Sequence, residues 1–321
     1  MSIDAHDVEQ AAARIAGLVR RTPVSRLTVP AGPAARPVEI MLIHEYLQHT
    51  GSFKARGAAN LAETHRLAAS MPKAGVCIAS GGNAGLACAW AARAAGVAAT
   101  VFVPVSAPAV KLARLRGYGA DVRLVGADYA EASLACQDYA ERTGALLSHA
   151  YDNPLIAAGA GTCAADALDQ LAGGIDTFVV AVGGGGLLAG TVAASRPAGC
   201  RVVGVEPASC MAMAAALSAG HPVDVAVDSI AADSLGARRL SGLAYAMATE
   251  AEVHAVQVSD QAIVAARLRL WQDSRIVVEH GGATAFAALL AGSYQPEPDE
   301  RVAVILCGAN TDPTDLVAAG G

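Results

Sequence analysis

The sequence predicts the α/β class, a parallel sheet with helices on both faces, and three observations carry that prediction. Short apolar segments of strand length alternate with longer helical patterns along the whole chain. Two of these strands run into a glycine-rich turn that opens a helix, at Val76–Asn83 and at Thr177–Gly186. Hydrophobic residues fill 54% of the 321 positions and aromatics only 4%, so alanine, valine and leucine build the interior. That length suffices for two domains or for one large one.

The elements follow in order. Val8, Ala11, Ala12, Ile15, Ala16 and Val19 recur at helical spacing and predict a helix over Asp4–Arg21, which Pro23 stops. Val38–Ile43 reads as a strand, and a helix runs from Lys54 through Asn60 to about Leu67. Then come strand Val76–Ala79, turn Ser80–Asn83, helix Ala84–Ala95 and strand Ala98–Val103. Alternation continues with a helix near Pro108–Arg116, strand Asp121–Val125, helix Tyr129–Thr143 and a strand ending near His149. The second half keeps this grammar: helix Ala157–Leu171, strand Thr177–Val182, glycines Gly183–Gly186, a helix from Leu187, and strand Arg201–Val205. A looser region extends to about Leu240, and within it Ser229–Gly236 reads as loop. Helix Asp260–Asp273, strand Arg275–Val278, helix Gly282–Ala291 and strand Val302–Leu306 close the chain.

Charge and cysteine usage narrow the function. With 23 basic against 29 acidic residues, a net −6 and no basic cluster, nucleic acid and anionic membranes are not the expected partners. The 7 cysteines (Cys77, Cys88, Cys136, Cys163, Cys200, Cys210 and Cys307) are scattered and never in Cys-x-x-Cys spacing. They read as thiols in a reducing cytoplasm, with no zinc site and no metal expected. The N-terminus lacks the layout of a signal peptide. Thr177–Ser195 is uncharged over a long run, but consecutive glycines at its centre suit strand, loop and helix better than a membrane span.

The chemistry concentrates on one amine. Lysine occurs only at 54, 73 and 111, and arginine supplies all other basic charge. Lys54 sits in Thr50-Gly51-Ser52-Phe53-Lys54-Ala55-Arg56-Gly57, among small and apolar neighbours. An amine there can lose its proton on desolvation and act as a nucleophile, which a guanidinium cannot. The other reading is a lysine snorkelling from the start of an amphipathic helix. Gly183, Gly184, Gly185 and Gly186 lie between a strand and a helix, where bare N–H groups and the positive helix end can hold a phosphate. A turn kept for tight packing is the alternative. Ser80-Gly81-Gly82-Asn83-Ala84-Gly85 offers a second cradle, with Asn83 as a fixed donor or as a plain helix cap. Cys307 lies just beyond the last strand, at a carboxyl end where open α/β sheets bind ligands. Glu279 reads equally well as a helix-start carboxylate or as a site residue.

Together these segments resemble the fold-type II pyridoxal-phosphate enzymes, in the serine/threonine dehydratase branch to which serine racemase is a cousin. Glu45–Gly57, Ser80–Gly85, Gly183–Leu187 and Cys307–Asn310 fall in the family's order across essentially the whole chain. Asp152-Asn153-Pro154 with Ala158–Thr162 also resembles the segment between the family's two halves. The resemblance implies two domains, each with a twisted, mostly parallel sheet. A large one spans residues 1–70 and 152–321, and a small mobile one spans 71–151. It implies that Lys54 holds pyridoxal 5'-phosphate as a Schiff base and later acts as the base at Cα, and that Phe53 packs on the ring. Gly183, Gly184, Gly185, Gly186 and Leu187 would hold the phosphate, Asn83 the ring hydroxyl and Cys307 the ring nitrogen. Ser80, Gly81, Asn83 and Ala84 would line the substrate carboxylate.

The implied reaction is β-elimination from a β-hydroxy amino acid such as L-serine or L-threonine, giving a 2-oxo acid and ammonia. A thiol is a weak partner for the ring nitrogen, which favours prompt loss of the β-substituent. The cofactor phosphate is the natural acid for the leaving hydroxyl. Departures from the family pattern bear on the substrate. Gly81 stands where racemases carry a serine, Ala84 where threonine dehydratases carry a histidine, His280 where a proline is usual and Ala309 where a second glycine is usual. Ala212 stands near the place of the racemase-like carboxylate for a divalent ion, leaving a monovalent cation on backbone carbonyls. A homodimer without a regulatory extension is expected by similarity. The alternatives are racemisation and β-replacement of the cysteine synthase kind.

Overall fold

Two helix-flanked sheets organise the chain in this computed structural model, which describes residues 2–30, 37–172 and 174–319. Helix α1 (Ala5–Ile15) opens with a reciprocal cap, each of Asp4 and Asp7 accepting the other's backbone N–H. Strands β1 (Val24–Pro30) and β2 (Pro37–Ile43) pair antiparallel, and α2 (Lys54–Leu67) follows. Next come β3 (Val76–Ala79), α3 (Asn83–Ala94), β4 (Ala99–Val103), α4 (Ala109–Gly117), β5 (Asp121–Leu124), α5 (Tyr129–Thr143) and β6 (Leu146–Leu147). Then α6 (Pro154–Gln170), β7 (Thr177–Ala181), α7 (Gly186–Ser195), β8 (Arg201–Pro207), α8 (Ala212–Ala219), α9 (Ala232–Leu235) and α10 (Gly242–Glu250). The chain closes with β9 (His254–Val258), α11 (Asp260–Ser274), α12 (His280–Leu290), β10 (Val302–Ile305) and α13 (Thr314–Ala319).

The smaller sheet has order β5-β4-β3-β6 and is parallel throughout. Alternation along β3 shows why helices cover both its faces. Val76 and Ile78 pack with Leu86 and Leu115 of α3 and α4, whereas Cys77 packs with Ala132 and Cys136 of α5. The larger sheet has order β1-β2-β10-β7-β8-β9, parallel except for the β1 edge. This order places the site. β2, β10 and β7 are neighbours although they lie far apart in sequence, so the segments leaving their carboxyl ends converge. Those segments lead to Lys54, to Cys307–Asn310 and to Gly183–Gly186.

Several sequence expectations need correction. The helix expected over Asp4–Arg21 stops at Ile15, and Gly17 turns the chain with φ 78°. Arg275–Val278 is no strand. Arg275 is the left-handed cap of α11, and the Val278 carbonyl accepts from Arg267 Nε at 2.8 Å instead of joining a ladder. The looser region holds α8 and α10, and the loop expected at Ser229–Gly236 contains α9. The alanine-rich α10 shows too weak a polar face for periodicity to find it, since its apolar residues spread around the helix. Strands β1 and β9 were likewise not expected.

Candidate active site

Lys54 is the first residue of α2, and its approach is held in an uncommon backbone conformation. Thr50 and Gly51 are both left-handed, with φ 63° and 79°. Such a conformation costs a threonine on the order of 1–3 kcal/mol, so the surroundings must enforce it. They do. The 307–310 segment lies against it: Phe53 N donates to Cys307 O at 3.0 Å, Ala309 N to Gly51 O at 2.9 Å, and Asn310 Nδ2 to Thr50 O at 2.8 Å. A side chain at Gly51 would place its Cβ 2.8 Å from Asn310 Oδ1, so glycine is required there.

Deeper in, α2 is moored by a buried ion pair. Arg56 donates to both oxygens of Glu45, Nε and Nη2 each at 2.8 Å, and Nη1 reaches Asp166 at 2.8 Å. Thr22 Oγ1 completes the carboxylate's shell at 2.6 Å. Burial weighs against the Arg56 charge, and the Glu45 carboxylate more than restores it, holding the guanidinium protonated beyond its ordinary range.

The Lys54 amine donates to the Ala150 carbonyl at 2.8 Å and stands 4.8 Å from the Phe53 ring centroid. Burial lowers its pKa to about 8, although the nearby Glu279 carboxylate pulls the other way. Cys307 follows β10, and its thiol points at Gly281 O, 3.6 Å away. Burial pushes that thiol up to about 12, so it stays protonated. Glu279, at the start of α12, is pushed by burial up to about 7, opposed by a hydrogen bond from Asn83 and by the Lys54 charge. Asn83 Nδ2 donates to Glu279 Oε1 at 2.7 Å, and Asn310 Nδ2 donates to Asn83 Oδ1 at 2.5 Å.

Gly183–Gly186 leads from β7 into α7, and no side chain caps that helix. Its first backbone N–H groups are therefore free of side-chain partners. A Cβ at Gly184 would fall 2.3 Å from the Tyr151 ring, and one at Gly185, with φ 91°, would fall 2.3 Å from Ala244 Cβ. Only bare backbone fits. Leu187 is buried in the first turn of α7. The second cradle behaves alike: Gly82 precedes α3 without a side-chain cap, and Ser80 Oγ accepts from Gly82 N at 3.3 Å. Gly81 packs toward Val103, and Ala84 is buried behind the turn.

The structure thus brings Lys54, Asn83 and Cys307 together around Glu279, which the sequence left undecided, with Phe53 beside Lys54. It also adds residues that sequence reasoning passed over. The Tyr151 ring lies against Gly184, the Ala150 carbonyl receives the lysine, and Asn310 joins the Asn83 amide to the Thr50 carbonyl. Asp152-Asn153-Pro154, already singled out, was the available signal for Ala150 and Tyr151. Nothing local signals the pairing of Asn310 with a residue 227 positions away.

Comparison with known proteins places this geometry. The family model described as "Pyridoxal-phosphate dependent enzyme" matches residues 15–308. The biosynthetic L-threonine dehydratase IlvA of Mycobacterium leprae is 38% identical over 97% of this chain and 73% of its own length. The catabolic L-threonine dehydratase TdcB of Staphylococcus aureus is 31% identical over 96% of this chain and 89% of its own. Among solved structures, the serine racemase of Dictyostelium discoideum superposes with TM-score 0.86 at 28% identity, covering 97% of this chain and 100% of that one.

Proposed function

The chain belongs to the pyridoxal-phosphate dependent enzyme family, and on that premise we propose that it is an ammonia-lyase acting on a β-hydroxy amino acid, L-threonine or L-serine. The observation that carries this reading is an amine of depressed basicity, Lys54, beside a thiol that stays protonated, Cys307. The site fits pyridoxal phosphate on its own chemistry: an uncapped helix start with no room for side chains suits a phosphate, and a desolvated amine suits an aldehyde. When bound, that cofactor supplies an electron-withdrawing ring that acidifies the amino acid's Cα proton.

The chain's own groups do the rest in this reading. The N–H groups of Gly183, Gly184, Gly185, Gly186 and Leu187 hold the phosphate, and Phe53 packs on the ring. Asn83 Nδ2, which has a second hydrogen beyond the one given to Glu279, holds the ring hydroxyl. Cys307 Sγ faces the ring nitrogen as a neutral thiol too weak to protonate it. The start of α3, with Ser80, Gly81, Asn83 and Ala84, receives the substrate carboxylate. Lys54 Nζ, as the free amine, would take the Cα proton. Loss of β-hydroxide and hydrolysis of the resulting enamine give the 2-oxo acid and ammonia. A panel of β-hydroxy amino acids scored for 2-oxo acid tests this. Release from L-threonine or L-serine without added nucleophile supports elimination, whereas dependence on sulfide, or D-amino acid as the main product, overturns it.

Two expected results follow. With a pKa of about 8, about a quarter of Lys54 is free amine at pH 7.5, against about a thousandth for an ordinary lysine. Uptake of pyridoxal phosphate by the cofactor-free chain should therefore accelerate with pH and level off above about 8, as stopped-flow absorbance would record. Gly184→Ala forces a methyl into the Tyr151 ring, and such overpacking costs about 1–3 kcal/mol, so cofactor affinity should fall roughly tenfold in equilibrium dialysis.

The same reading includes a small domain over 71–151 that closes on the substrate carboxylate over a large one formed by 1–70 and 152–321. It includes a homodimer, checked by analytical ultracentrifugation, and a cytoplasmic location, which suits the free thiols of all seven cysteines. Among the described residues no helix is long and apolar enough to cross a membrane. A monovalent cation belongs to it as well, to be checked by exchanging potassium for tetramethylammonium. The Glu206 carboxylate already accepts from Met213 N and Ala214 N at 2.6 and 2.9 Å, so it needs no divalent ion as a partner.

A further inference from the structure

Residues 149–152 carry the chain from β6 of the small sheet to α6 beside the large one, and little backbone bonding holds them. On one side Ser148 N donates to Cys77 O at 2.8 Å. On the other, Asn153 Oδ1 caps α6 by accepting from Leu155 N and Ile156 N at 2.9 and 3.2 Å. Between these anchors, among the described residues, the main chain bonds only to two side chains. Lys54 Nζ donates to Ala150 O at 2.8 Å. His149 Nδ1 accepts from Asp152 N at 2.8 Å and, more weakly, from Tyr151 N at 3.3 Å.

Two N–H donors meeting at one ring nitrogen fix the state of that ring. Nδ1 must be bare, so the ring proton sits on Nε2 and the imidazole is neutral. Protonation would set a third N–H against the other two and break both bonds. Burial opposes it, holding the His149 pKa below the ordinary 6.5 against the pull of the Asp152 carboxylate, and the Lys54 charge adds to burial. The Tyr151 ring meets the imidazole edge-on with centroids 4.7 Å apart, and burial keeps its phenol protonated. That tyrosine lies along the glycine turn. A Cβ at Gly186 would meet Tyr151 Cα, Cβ and O at 3.1 Å, and one at Gly184 would fall 2.3 Å from the ring. Four residues thus carry two parts of the site, the carbonyl that takes the amine and the ring beside the cradle.

We propose that His149 is a positioning residue, its neutral ring tying the 149–152 crossing so that the Ala150 carbonyl meets the Lys54 amine and the Tyr151 ring lies along Gly184 and Gly186. The tie is geometry; its consequence for turnover rests on the ammonia-lyase reading. With Nδ1 protonated or removed, the Asp152 and Tyr151 N–H groups lose their acceptor. The stretch between Ser148 and Asn153 then keeps only the Lys54 bond and the packing of Tyr151. The Ala150 carbonyl no longer fixes where the amine stands, and a reacting group displaced by about 1 Å can lose about a hundredfold in rate. His149 therefore holds the crossing at neutral pH and releases it in acid.

Amide hydrogen exchange in the cofactor-free full chain reads the tie without turnover. At about pH 7.5, His149→Ala should speed exchange of the Tyr151 and Asp152 amides by about tenfold, the weight of one net hydrogen bond. His149→Asn, whose side-chain oxygen can take the place of Nδ1 and binds no proton, should restore slow exchange. Acidification to about pH 5 should remove the wild-type protection, corrected for intrinsic rates, and leave that of His149→Asn in place. The wild-type half of this comparison stands even if His149→Ala does not fold. In the holoenzyme His149→Ala should lower kcat roughly tenfold and leave KM within about twofold, and His149→Asn should recover kcat. The proposal is overturned if His149→Ala keeps wild-type protection at the two amides, if wild-type protection survives acidification, or if His149→Asn loses as much as alanine. A wild-type chain that takes up cofactor yet releases no 2-oxo acid would instead sink the ammonia-lyase reading and leave the exchange results standing.

Discussion

Lys54→Ala should abolish 2-oxo acid release, with kcat falling by about four orders of magnitude, because both the covalent anchor and the Cα base disappear together. Borohydride reduction of the cofactor-loaded protein followed by peptide mapping should tag Lys54 in wild type and no residue in the variant. Tagging of Lys73 or Lys111 would overturn the assignment. The same substitution has a second signature in the cofactor-free chain. Its folded-state pKa of about 8 lies below the ordinary value of 10.5, so folding is penalised for confining a charged amine. That penalty is complete below about pH 8 and fades as pH rises toward about 10.5, where the unfolded amine also loses its proton. Lys54→Ala should therefore gain most stability over wild type near pH 7, and the gain should vanish by about pH 10.5. A merely snorkelling lysine would show no such pH dependence.

Glu45→Ala should cost about 3–5 kcal/mol, because it leaves a guanidinium only 1% exposed with the partly exposed Asp166 as its remaining carboxylate. The urea midpoint should fall at an unchanged m value. Replacing both partners, Glu45→Met with Arg56→Met, should recover much of the loss, since the expensive state is a buried charge that has lost its buried carboxylate. Asp224→Ala is the contrast. It breaks the Arg239 pair at 2.6 Å, but with both side chains more than half exposed the urea midpoint should barely move. Activity should fall in Glu45→Ala as well, because Arg56 lies half a turn from Lys54 on α2 and its mooring sets where the amine stands. Retention of full kcat in a folded Glu45→Ala protein would show that the ion pair stabilises the helix without placing the lysine.

Much of this protein follows from local rules acting along the chain. Alternating strand and helix lengths, and glycines that only a turn with positive φ or a bare phosphate cradle can use, determine the class of fold and two candidate anion cradles. Lys54 stands out by the rarity of its residue type, and the run from Tyr129 to Thr143 shows its helix through its own caps. Tertiary structure decided the rest. Whether Glu279 was a helix cap or a site residue depended on Asn83, 196 positions away, coming within 2.7 Å of it. The strand at Arg275–Val278 was lost because Arg267, one helix earlier, captured the Val278 carbonyl. Asn310 met the Thr50 carbonyl, and Tyr151 met Gly184, only through segments far apart in the sequence. The physical reason is one of range: backbone preference and periodicity are written within a dozen residues, whereas the direction in which an amide or a carboxylate points is set by whatever the sheet order carries up against it.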